Sequence, residues 1–264
     1  MSLVIGQIFS PGEIFFAIEL FNIKFLEFIK MTVLECRIAY NKYGGYCIPE
    51  SCLHRPAVRR VLSGSIHEPD TIDYIAAHCS SGDVIHAGTF FGDFLPGVSA
   101  ALPSESKIWA FEPNFESYRC ARITIEINNL RNVVLACKAL GDQKGRAFLQ
   151  TRDFDDKELG GSSRIVSTLP FGCAHGSFVE IDTIDDVVPR ERNVALIHLD
   201  VEGYEDYALR GGINTIKRCL PILIIETWPK KNILDDPWFS DNILNLGYKK
   251  VADIHGNSLF TCSS

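Results

Sequence analysis

Acidic side chains stand at the ends of several short apolar runs in this chain. Glu112 follows one run, Asp200 and Glu202 follow a second, and Glu226 follows a third. A carboxylate in such a place can accept hydrogen bonds from both hydroxyls of a ribose, or take up a proton as a general base. Because like charges raise each other's proton affinity, four carboxyl groups at one rim favour a cationic ligand or a metal ion.

Four residues are candidates for the general base. They are Asp200, His198, Glu202 and Glu226. Side chains two positions apart on a strand face the same side, so we expect His198 to accompany Asp200 at the strand tip. An imidazole titrates near neutral pH, which suits it to proton transfer. The sequence does not rank the four candidates.

A glycine-containing turn follows the first of the apolar runs. Its sequence is HAGTFFGD, residues 86–93, and its glycines allow the backbone to approach a ligand closely. Glu112 lies 24 positions after Gly88, a spacing that favours a nucleoside site. The dinucleotide fingerprint G-x-G-x-x-G is absent, however, so an NAD-linked oxidoreductase is disfavoured.

S-adenosylmethionine fits these features. It carries a ribose diol for Glu112 and a positive sulfonium for the acidic rim, and it has no pyrophosphate that would need a phosphate cradle. The third apolar run ends in ALGD, residues 139–142, whose small and apolar side chains suit a flat base, with Asp142 near its exocyclic amine. A divalent metal lacks a diagnostic ligand spacing, so its requirement stays open. The predicted cofactor-binding residues are His86, Ala87, Gly88, Thr89, Gly92, Glu112, Pro113, Leu140 and Asp142.

The elements that must position these residues alternate along the chain. β-rich runs are separated by helical stretches, which indicates a doubly wound α/β domain with a mostly parallel sheet. Ligands of such sheets bind beyond the carboxyl ends of the strands. The runs are DVIHAG, KIWAFEP, NVVLACKAL, NVALIHLDVEG and LPILIIETW. The helical candidates begin at Asp70 or Thr71 and pass Ile75, run from Phe115 to Asn128, and run from Tyr204 to Lys217.

The same segments resemble the FkbM-type family of S-adenosylmethionine-dependent methyltransferases. They appear in the family's order, and the most specific of them is DVEGYE followed by LRGG. The resemblance implies a Rossmann-like class I methyltransferase with a seven-stranded sheet, which methylates a hydroxyl of a small molecule or sugar. It also implies that Gly88, Gly92 and Glu112 hold the cofactor. Asp200 and Glu202 would then lie beside the transferred methyl group.

Three positions depart from the family's pattern. The family usually has Asp where His86 stands, Ala-Asn where Thr89-Phe90 stand, and Lys where His198 stands. A neutral His86 can still accept a hydrogen bond from the cofactor, whereas Phe90 would narrow the pocket. The alternative to an active O-methyltransferase is therefore a methyltransferase-like binding protein without turnover.

Composition and charge limit the partners. The chain has 264 residues, with 26 Lys and Arg against 33 Asp and Glu and a formal net charge of -7, so a nucleic acid is repelled on average. We therefore expect a small-molecule or glycan acceptor. Nine scattered cysteines without a C-x-x-C pair indicate reduced thiols in a cytoplasmic protein, rather than a zinc site or a disulfide framework.

Two parts of the chain are expected to fold differently. Residues 1–68 are predicted to form a helical N-terminal extension and connection, and residues 69–264 the methyltransferase domain. The apolar stretch from Glu13 to Ala39 is interrupted by charges, so no transmembrane segment is predicted. Its helical spacing indicates an amphipathic helix that caps the core, joins a homodimer or lies on a membrane, and its mixed charges favour the first two. The GGSS segment, residues 160–163, is expected in a substrate lid.

Overall fold

The structure, a computed structural model, describes residues 33–79, 81–166, 175–227 and 233–262. Within the chain, Cys36–Ser264 is one compact unit. The amphipathic helix that we expect before Val33 lies outside the described residues, as does Cys173. The division of the chain at residue 68 stays a prediction.

The described residues form strands β1–β13 and helices α1–α8, numbered in chain order. The strands are β1 (Cys36–Asn41), β2 (Gly44–Pro49), β3 (Asp83–Ala87), β4 (Ile108–Phe111), β5 (Val133–Ala136), β6 (Ala139–Leu140), β7 (Gly145–Gln150), β8 (Arg164–Val166), β9 (Gly176–Asp182), β10 (Val194–Leu199), β11 (Ile222–Glu226), β12 (Tyr248–Ile254) and β13 (Asn257–Cys262). The helices are α1 (Pro56–Leu62), α2 (Pro69–His78), α3 (Leu95–Ala101), α4 (Phe115–Ile127), α5 (Ile184–Val187), α6 (Glu205–Arg210), α7 (Ile213–Cys219) and α8 (Pro237–Asn242).

Seven strands form the central sheet, in the order β12-β13-β11-β10-β3-β4-β5. Strands β11, β10, β3, β4 and β5 pair in parallel with their neighbours in that order. Strand β13 is antiparallel to both β11 and β12, so within this sheet it runs opposite to the other six strands. The described chain therefore has the predicted α/β fold with a seven-stranded sheet, which is mixed rather than purely parallel.

The inner strands β3, β4, β10 and β11 are covered on both faces, which explains why they are mostly apolar, whereas the edge strand β12 is largely exposed. Alternate residues of β3 and β10 enter two separate cores. Val84 and Leu196 pack with α2 and α3 on one face, while Ile85 and Ile197 pack with α6 and α7 on the other. A strand buried on both faces loses the alternation of polar and apolar residues that marks a half-exposed strand.

The third apolar run, predicted as one strand, is divided between two sheets. Val133–Ala136 belongs to the central sheet, whereas Ala139–Leu140 belongs to a second sheet with the order β6-β9-β7-β8. This second sheet has its own small core, which includes Leu149 and Val179. It carries Leu140 and Leu149 to the carboxyl end of the central sheet, where both line a cavity.

Two helix boundaries differ from the expectation. Helix α2 begins at Pro69 after the N-cap residue Glu68, because proline lacks an N–H and its fixed φ suits the first helical position. The single helix expected after Tyr204 is instead two helices that meet at Gly211. A Cβ on Gly211 would lie 1.9 Å from the carbonyl oxygen of Gly141, so only glycine allows the chain to pass there.

A β-hairpin precedes α1, in a segment that the sequence indicated to be a connection with short helical pieces. Strands β1 and β2 pair in antiparallel fashion from Cys36 to Pro49, so the end of the expected amphipathic helix lies in β1. The hairpin packs on α4, where Asn128 accepts a hydrogen bond from the Gly45 N–H at 2.9 Å. The Cys47 N–H donates to the Thr124 hydroxyl at 3.0 Å.

We predict that Asp83→Ala destabilises the sheet strongly. The buried Asp83 carboxylate accepts hydrogen bonds from the Trp109 indole and the Lys107 N–H and forms an ion pair with Arg192. Although burial raises the pKa of Asp83, the hydrogen bonds from Arg192 and Trp109 hold it below its usual value. Loss of one partner of such a pair leaves buried donors unsatisfied and should cost about 2–3 kcal/mol of unfolding free energy.

Urea denaturation checks this expectation. The exposed pair between Arg37 and Glu50 provides the matched control, since Glu50→Ala removes an ion pair that water already solvates. A loss for Asp83→Ala no larger than that for Glu50→Ala would contradict the role given to Asp83.

Candidate active site

The carboxyl ends of β3, β4 and β10 meet at one point of the sheet edge. The Gly88 N–H donates to the Phe111 carbonyl at 3.1 Å, and the Asp200 N–H donates to the Ala87 carbonyl at 3.1 Å. Gly88 has φ +86°, and a Cβ on it would lie 1.7 Å from the carbonyl oxygen of Asp200. Glycine is therefore required for the first and fourth strands of the predicted pattern to end side by side.

A first cavity of about 460 Å³ opens at this point. Its walls are mostly apolar, and two carboxyl groups, those of Glu112 and Asp200, lie in them near Gly88. An apolar slot next to a buried carboxylate has the chemistry that an adenine and a ribose diol require. The lining residues are Ala87, Gly88, Phe111, Glu112, Pro113, Lys138, Ala139, Leu140, Leu149, Gly160, Gly161, Ser163, Ile165, Asp200, Val201 and Tyr204.

Glu112 is held in place by two backbone N–H groups. Its Oε2 accepts from the Phe90 N–H and its Oε1 from the Asn114 N–H, both at 2.7 Å. Burial raises the pKa of Glu112 to about 8, against the opposing effect of these hydrogen bonds. Each carboxylate oxygen retains a further lone pair, so the group can still accept hydrogen bonds from a diol.

The structure places the nine predicted cofactor-binding residues in two groups. Those that line the first cavity are Ala87, Gly88, Glu112, Pro113 and Leu140. Those that do not line it are His86, Thr89, Gly92 and Asp142.

Three of the non-lining residues have other surroundings in the described chain. The fully buried Thr89 hydroxyl donates to the His86 carbonyl at 3.3 Å. Gly92 packs against Leu95 and Thr124. Asp142 is exposed beyond the end of β6. A direct cofactor contact for these residues stays a prediction.

A second cavity of about 640 Å³ lies beside the first. Gly88, Gly161 and Asp200 line both cavities and form the wall between them. Phe90 lines the second cavity and not the first, and its ring lies against Gly161, so it does not close the slot beside Glu112. The lining residues are Arg55, Pro56, Ala57, His67, Gly88, Phe90, Asp93, Phe94, Gly161, Ser162, Asp200 and Glu202.

Three of the predicted bases come together at the strand ends. Asp200, Glu202 and Glu226 each offer a carboxylate oxygen, and these atoms lie within 4.8 Å of one another. Burial, followed by the charges of Glu226 and Glu202, raises the pKa of Asp200 well above its usual value. The set would suit a hard divalent cation, but the functional proposal below does not depend on one.

The DVEGYE segment forms the turn that positions these acids. Glu205 accepts hydrogen bonds from the Val201 N–H at 3.2 Å and the Gly203 N–H at 3.1 Å, which fixes the turn from its far end. Glu202 adopts φ 56°, a conformation that is strained for a residue with a side chain. Its carboxylate accepts from the Ser162 hydroxyl, which ties the GGSS segment to the turn.

His198 lies away from the two cavities, on the face of the sheet that α3 covers. Its ring stacks on that of His86 with centroids 4.9 Å apart, and the two Nδ1 atoms are 3.0 Å apart. Burial lowers the pKa of His86 to about 4 and that of His198 well below its usual value, so both rings are neutral. One Nδ1 must carry the shared proton, which gives the two rings opposite tautomers. This geometry does not bring His198 to the strand tip, where the sequence placed it.

Several lining residues were not identified from the sequence. Lys138, Leu149, Ile165 and Tyr204 line the first cavity. The first three come from the second sheet and the connection to it, whose pairing no local pattern reveals. Only Tyr204 carries a signal, since it lies within the DVEGYE segment.

We predict that the ligand-free protein loses stability as pH rises from about 6.5 to 8. Burial raises the pKa of Glu112 to about 8 and those of Asp93 and Glu205 to about 7. Unfolded carboxyl groups have lost their protons by about pH 5, so between that pH and 8 the native state holds more protons and each rise in pH favours unfolding. The buried His86 opposes this loss of stability only below about pH 6.5, where the unfolded imidazole is charged. Cys47, whose pKa is lowered to about 7, also opposes the loss, but it is a single group.

Urea midpoints measured across this pH range at constant ionic strength check the prediction. Glu112→Gln removes one of the titrating carboxyl groups and should flatten the decline. A midpoint that rises with pH in the unmodified protein would show that these carboxyl groups titrate normally.

The strand order, with one reversed strand among seven, is that of a mostly parallel α/β sheet, and both cavities open where sheets of this kind bind ligands. The FkbM methyltransferase domain matches residues 86–248, which is more than half of the chain. The chain belongs to this family. The predicted family and the predicted enzyme class, a methyltransferase, are thereby confirmed.

Distant similarity to solved structures accompanies this match. Methyltransferase FkbM from Methylobacillus flagellatus has 18% identity over 69% of this chain and 43% of that chain, with a TM-score of 0.47. A SAM-dependent O-methyltransferase from Thermotoga maritima has 14% identity over 86% of this chain and 78% of that chain, with a TM-score of 0.41. This chain thus spans less than half the length of the Methylobacillus protein. No curated protein matches the chain. None of the described helices is long and apolar enough to cross a membrane.

Proposed function

We propose that this protein transfers a methyl group from S-adenosylmethionine to a hydroxyl of a small molecule or sugar. The observation that carries the proposal is the shared wall between the two cavities. Asp200 and Gly88 line both the apolar slot beside Glu112 and the larger, acid-lined cavity next to it. One cavity can therefore hold the nucleoside of the cofactor while the other holds the acceptor, with a carboxylate between them.

The first cavity supplies binding and orientation. Glu112 accepts hydrogen bonds from the ribose hydroxyls, and the apolar side chains of Pro113 and Leu140 enclose the adenine. When bound, the cofactor supplies an electrophilic methyl group on a positively charged sulfur. Asp200 lines this cavity, and its ionised carboxylate would stabilise a positive charge placed beside it. Most of the rate enhancement then comes from holding the acceptor oxygen in line with the methyl group.

Asp200 is the side chain to which we assign the acceptor's proton. Among the four candidate bases it lines both cavities, Glu202 lines the second, and Glu226 and His198 line neither. Its raised pKa makes the carboxylate, once ionised, a stronger base than an exposed aspartate. Glu202 and Glu226 keep that pKa raised through their charges.

Calorimetry followed by turnover tests the proposal. The purified chain is titrated with S-adenosylhomocysteine, and S-adenosylhomocysteine formation is then measured with a panel of sugars and small hydroxyl compounds. Binding with turnover is the expected result. Binding without turnover across the panel would favour the alternative, a methyltransferase-like binding protein. Absence of binding would overturn the assignment of the first cavity.

The remaining expectations concern the setting of the reaction. The net charge of -7 supports a neutral or cationic acceptor rather than a nucleic acid. A cytoplasmic location and a homodimer formed through the N-terminal segment stay proposals, and sedimentation of the full chain tests the second.

A further inference from the structure

Three cysteines form a cluster outside both cavities. Cys36 and Cys47 lie on the β-hairpin, and Cys120 lies on α4. The Cys47 sulfur is in the centre, with hydrogen bonds to the thiols of Cys120 and Cys36. The described cysteines are all free thiols, and within the cluster Cys36 is exposed while Cys47 and Cys120 are buried. Nothing in the proposed methyl transfer uses these groups.

The hairpin register brings the first two thiols together. Cys36 pairs with Pro49 and Cys47 pairs with Ile38, so the two cysteines are diagonal neighbours on one face. Diagonal neighbours lie within reach of each other's side chains. The Cys47 N–H is bonded to the Thr124 hydroxyl of α4, which holds the hairpin in its place beside Cys120.

The cluster stabilises one thiolate. The S–H of Cys120 and then that of Cys36 donate to the Cys47 sulfur, which lowers the pKa of Cys47 to about 7 against the effect of burial. Burial and the hydrogen bond to Cys47 raise the pKa of Cys36 to about 11. The hydrogen bond to Cys47 raises the pKa of Cys120 as well. Two S–H donors thus face one sulfur that carries the charge, as in other activated thiols.

Charged groups from neighbouring elements also face the cluster. Glu50, after β2, raises the pKa of Cys36, whereas Arg119 of α4 lowers it. Glu116, also on α4, raises the pKa of Cys120. Their effects are smaller than those of the thiols themselves, so the cluster titrates mainly through its own hydrogen bonds.

We propose that Cys36 and Cys47 form a thiol-modification site that reacts with low-molecular-weight disulfides and closes to an intramolecular disulfide. The exposed Cys36 sulfur attacks the small disulfide while its proton passes to the Cys47 sulfur, which gives a mixed disulfide and one released thiolate. Cys47 then loses its proton to solvent and attacks Cys36, which releases the second thiolate. Two protein thiols are oxidised and one small disulfide is reduced to two thiols, so electrons and protons balance.

Oxidised glutathione is the probe for the test. The full chain is incubated with it at several pH values and quenched by alkylation, and the peptides are identified by mass spectrometry. We expect a disulfide between Cys36 and Cys47, two glutathiones released per chain, and a rate with a midpoint near pH 7. Each step uses the Cys47 thiolate, first as the base and then as the nucleophile, so the rate should fall as the pH drops below about 7.

Variants separate the two steps. Cys47→Ser should leave Cys36 as a stable mixed disulfide with glutathione, because the resolving thiol is missing. Cys120→Ala removes an S–H donor and should move the rate midpoint to higher pH, whereas Cys120→Ser keeps a hydroxyl donor and should move it less. The absence of a disulfide between Cys36 and Cys47, or a disulfide between Cys47 and Cys120 in its place, would overturn the proposal, and the unmodified chain alone decides both outcomes.

Discussion

Asp200→Asn is expected to lower kcat by about 10²–10⁴-fold while the affinity for S-adenosylhomocysteine stays unchanged. The substitution keeps the size of the side chain and the backbone contact with Gly88, but an amide cannot accept the acceptor's proton. The affinity for S-adenosylmethionine should fall, since the positive sulfonium loses a facing carboxylate. Turnover of the acceptor found in the screen and calorimetry with both cofactor forms provide the measurements.

Two comparison variants sharpen this prediction. Glu202→Gln removes a carboxylate that lines only the acceptor side, so its loss of kcat should be smaller than that of Asp200→Asn. His198→Gln should leave the pH profile of kcat unchanged, because His198 is buried on the α3 side of the sheet. If Asp200→Asn retained full turnover and His198→Gln did not, the base would have to be assigned to His198.

At a pH above 8, where Glu112 is ionised, Glu112→Ala is expected to weaken S-adenosylhomocysteine binding by at least about 100-fold, since charge-assisted hydrogen bonds to the diol contribute about 1.5–3 kcal/mol each. The variant also leaves the N–H groups of Phe90 and Asn114 without their acceptor, which loosens the turn beside the cavity. Glu112→Gln keeps one carbonyl acceptor, so we expect an intermediate loss of about tenfold. Calorimetry measures both affinities.

Asp142→Asn is the matched control for the Glu112 variants. Asp142 is exposed and does not line the first cavity, so its substitution should leave S-adenosylhomocysteine affinity unchanged. An equal loss for Asp142→Asn and Glu112→Gln would show that the adenine lies further toward β6 than the cavity indicates. An unchanged affinity in Glu112→Ala would remove the basis for the diol contact.

The sequence predicted the architecture because the inner strands β3, β4, β10 and β11 are largely buried on both faces. Such strands appear in the sequence as short apolar runs, and the acidic residues at their ends stand out because they are charged. The positions of Glu112, Asp200 and Glu226 at one sheet edge then follow from parallel pairing, which needs no knowledge of side-chain packing. The family resemblance rested on the same segments, and the match to the FkbM domain confirmed it.

Only the tertiary structure shows which face of the sheet His198 occupies and what covers it. Alternation predicted that His198 and Asp200 lie on one side at the strand tip, but Asp200 lies beyond the end of β10, where the chain turns toward the cavities. His198 is still within the strand and is covered by Phe94 and α3. Whether a side chain lies in a cavity wall or in the core therefore depends on whether its residue stands just after the strand end or just before it.

The sequence by itself thus determined which residues end the strands and that several of these ends carry an acidic residue. Folding decided what lies opposite those ends. The second sheet brings Leu149 and Ile165 against the slot beside Glu112, and the GGSS segment separates two cavities. These contacts join residues that are far apart in sequence, through antiparallel strand pairing and loop packing. The register of such strands depends on which surface is buried in the folded protein, so no local sequence pattern predicts it.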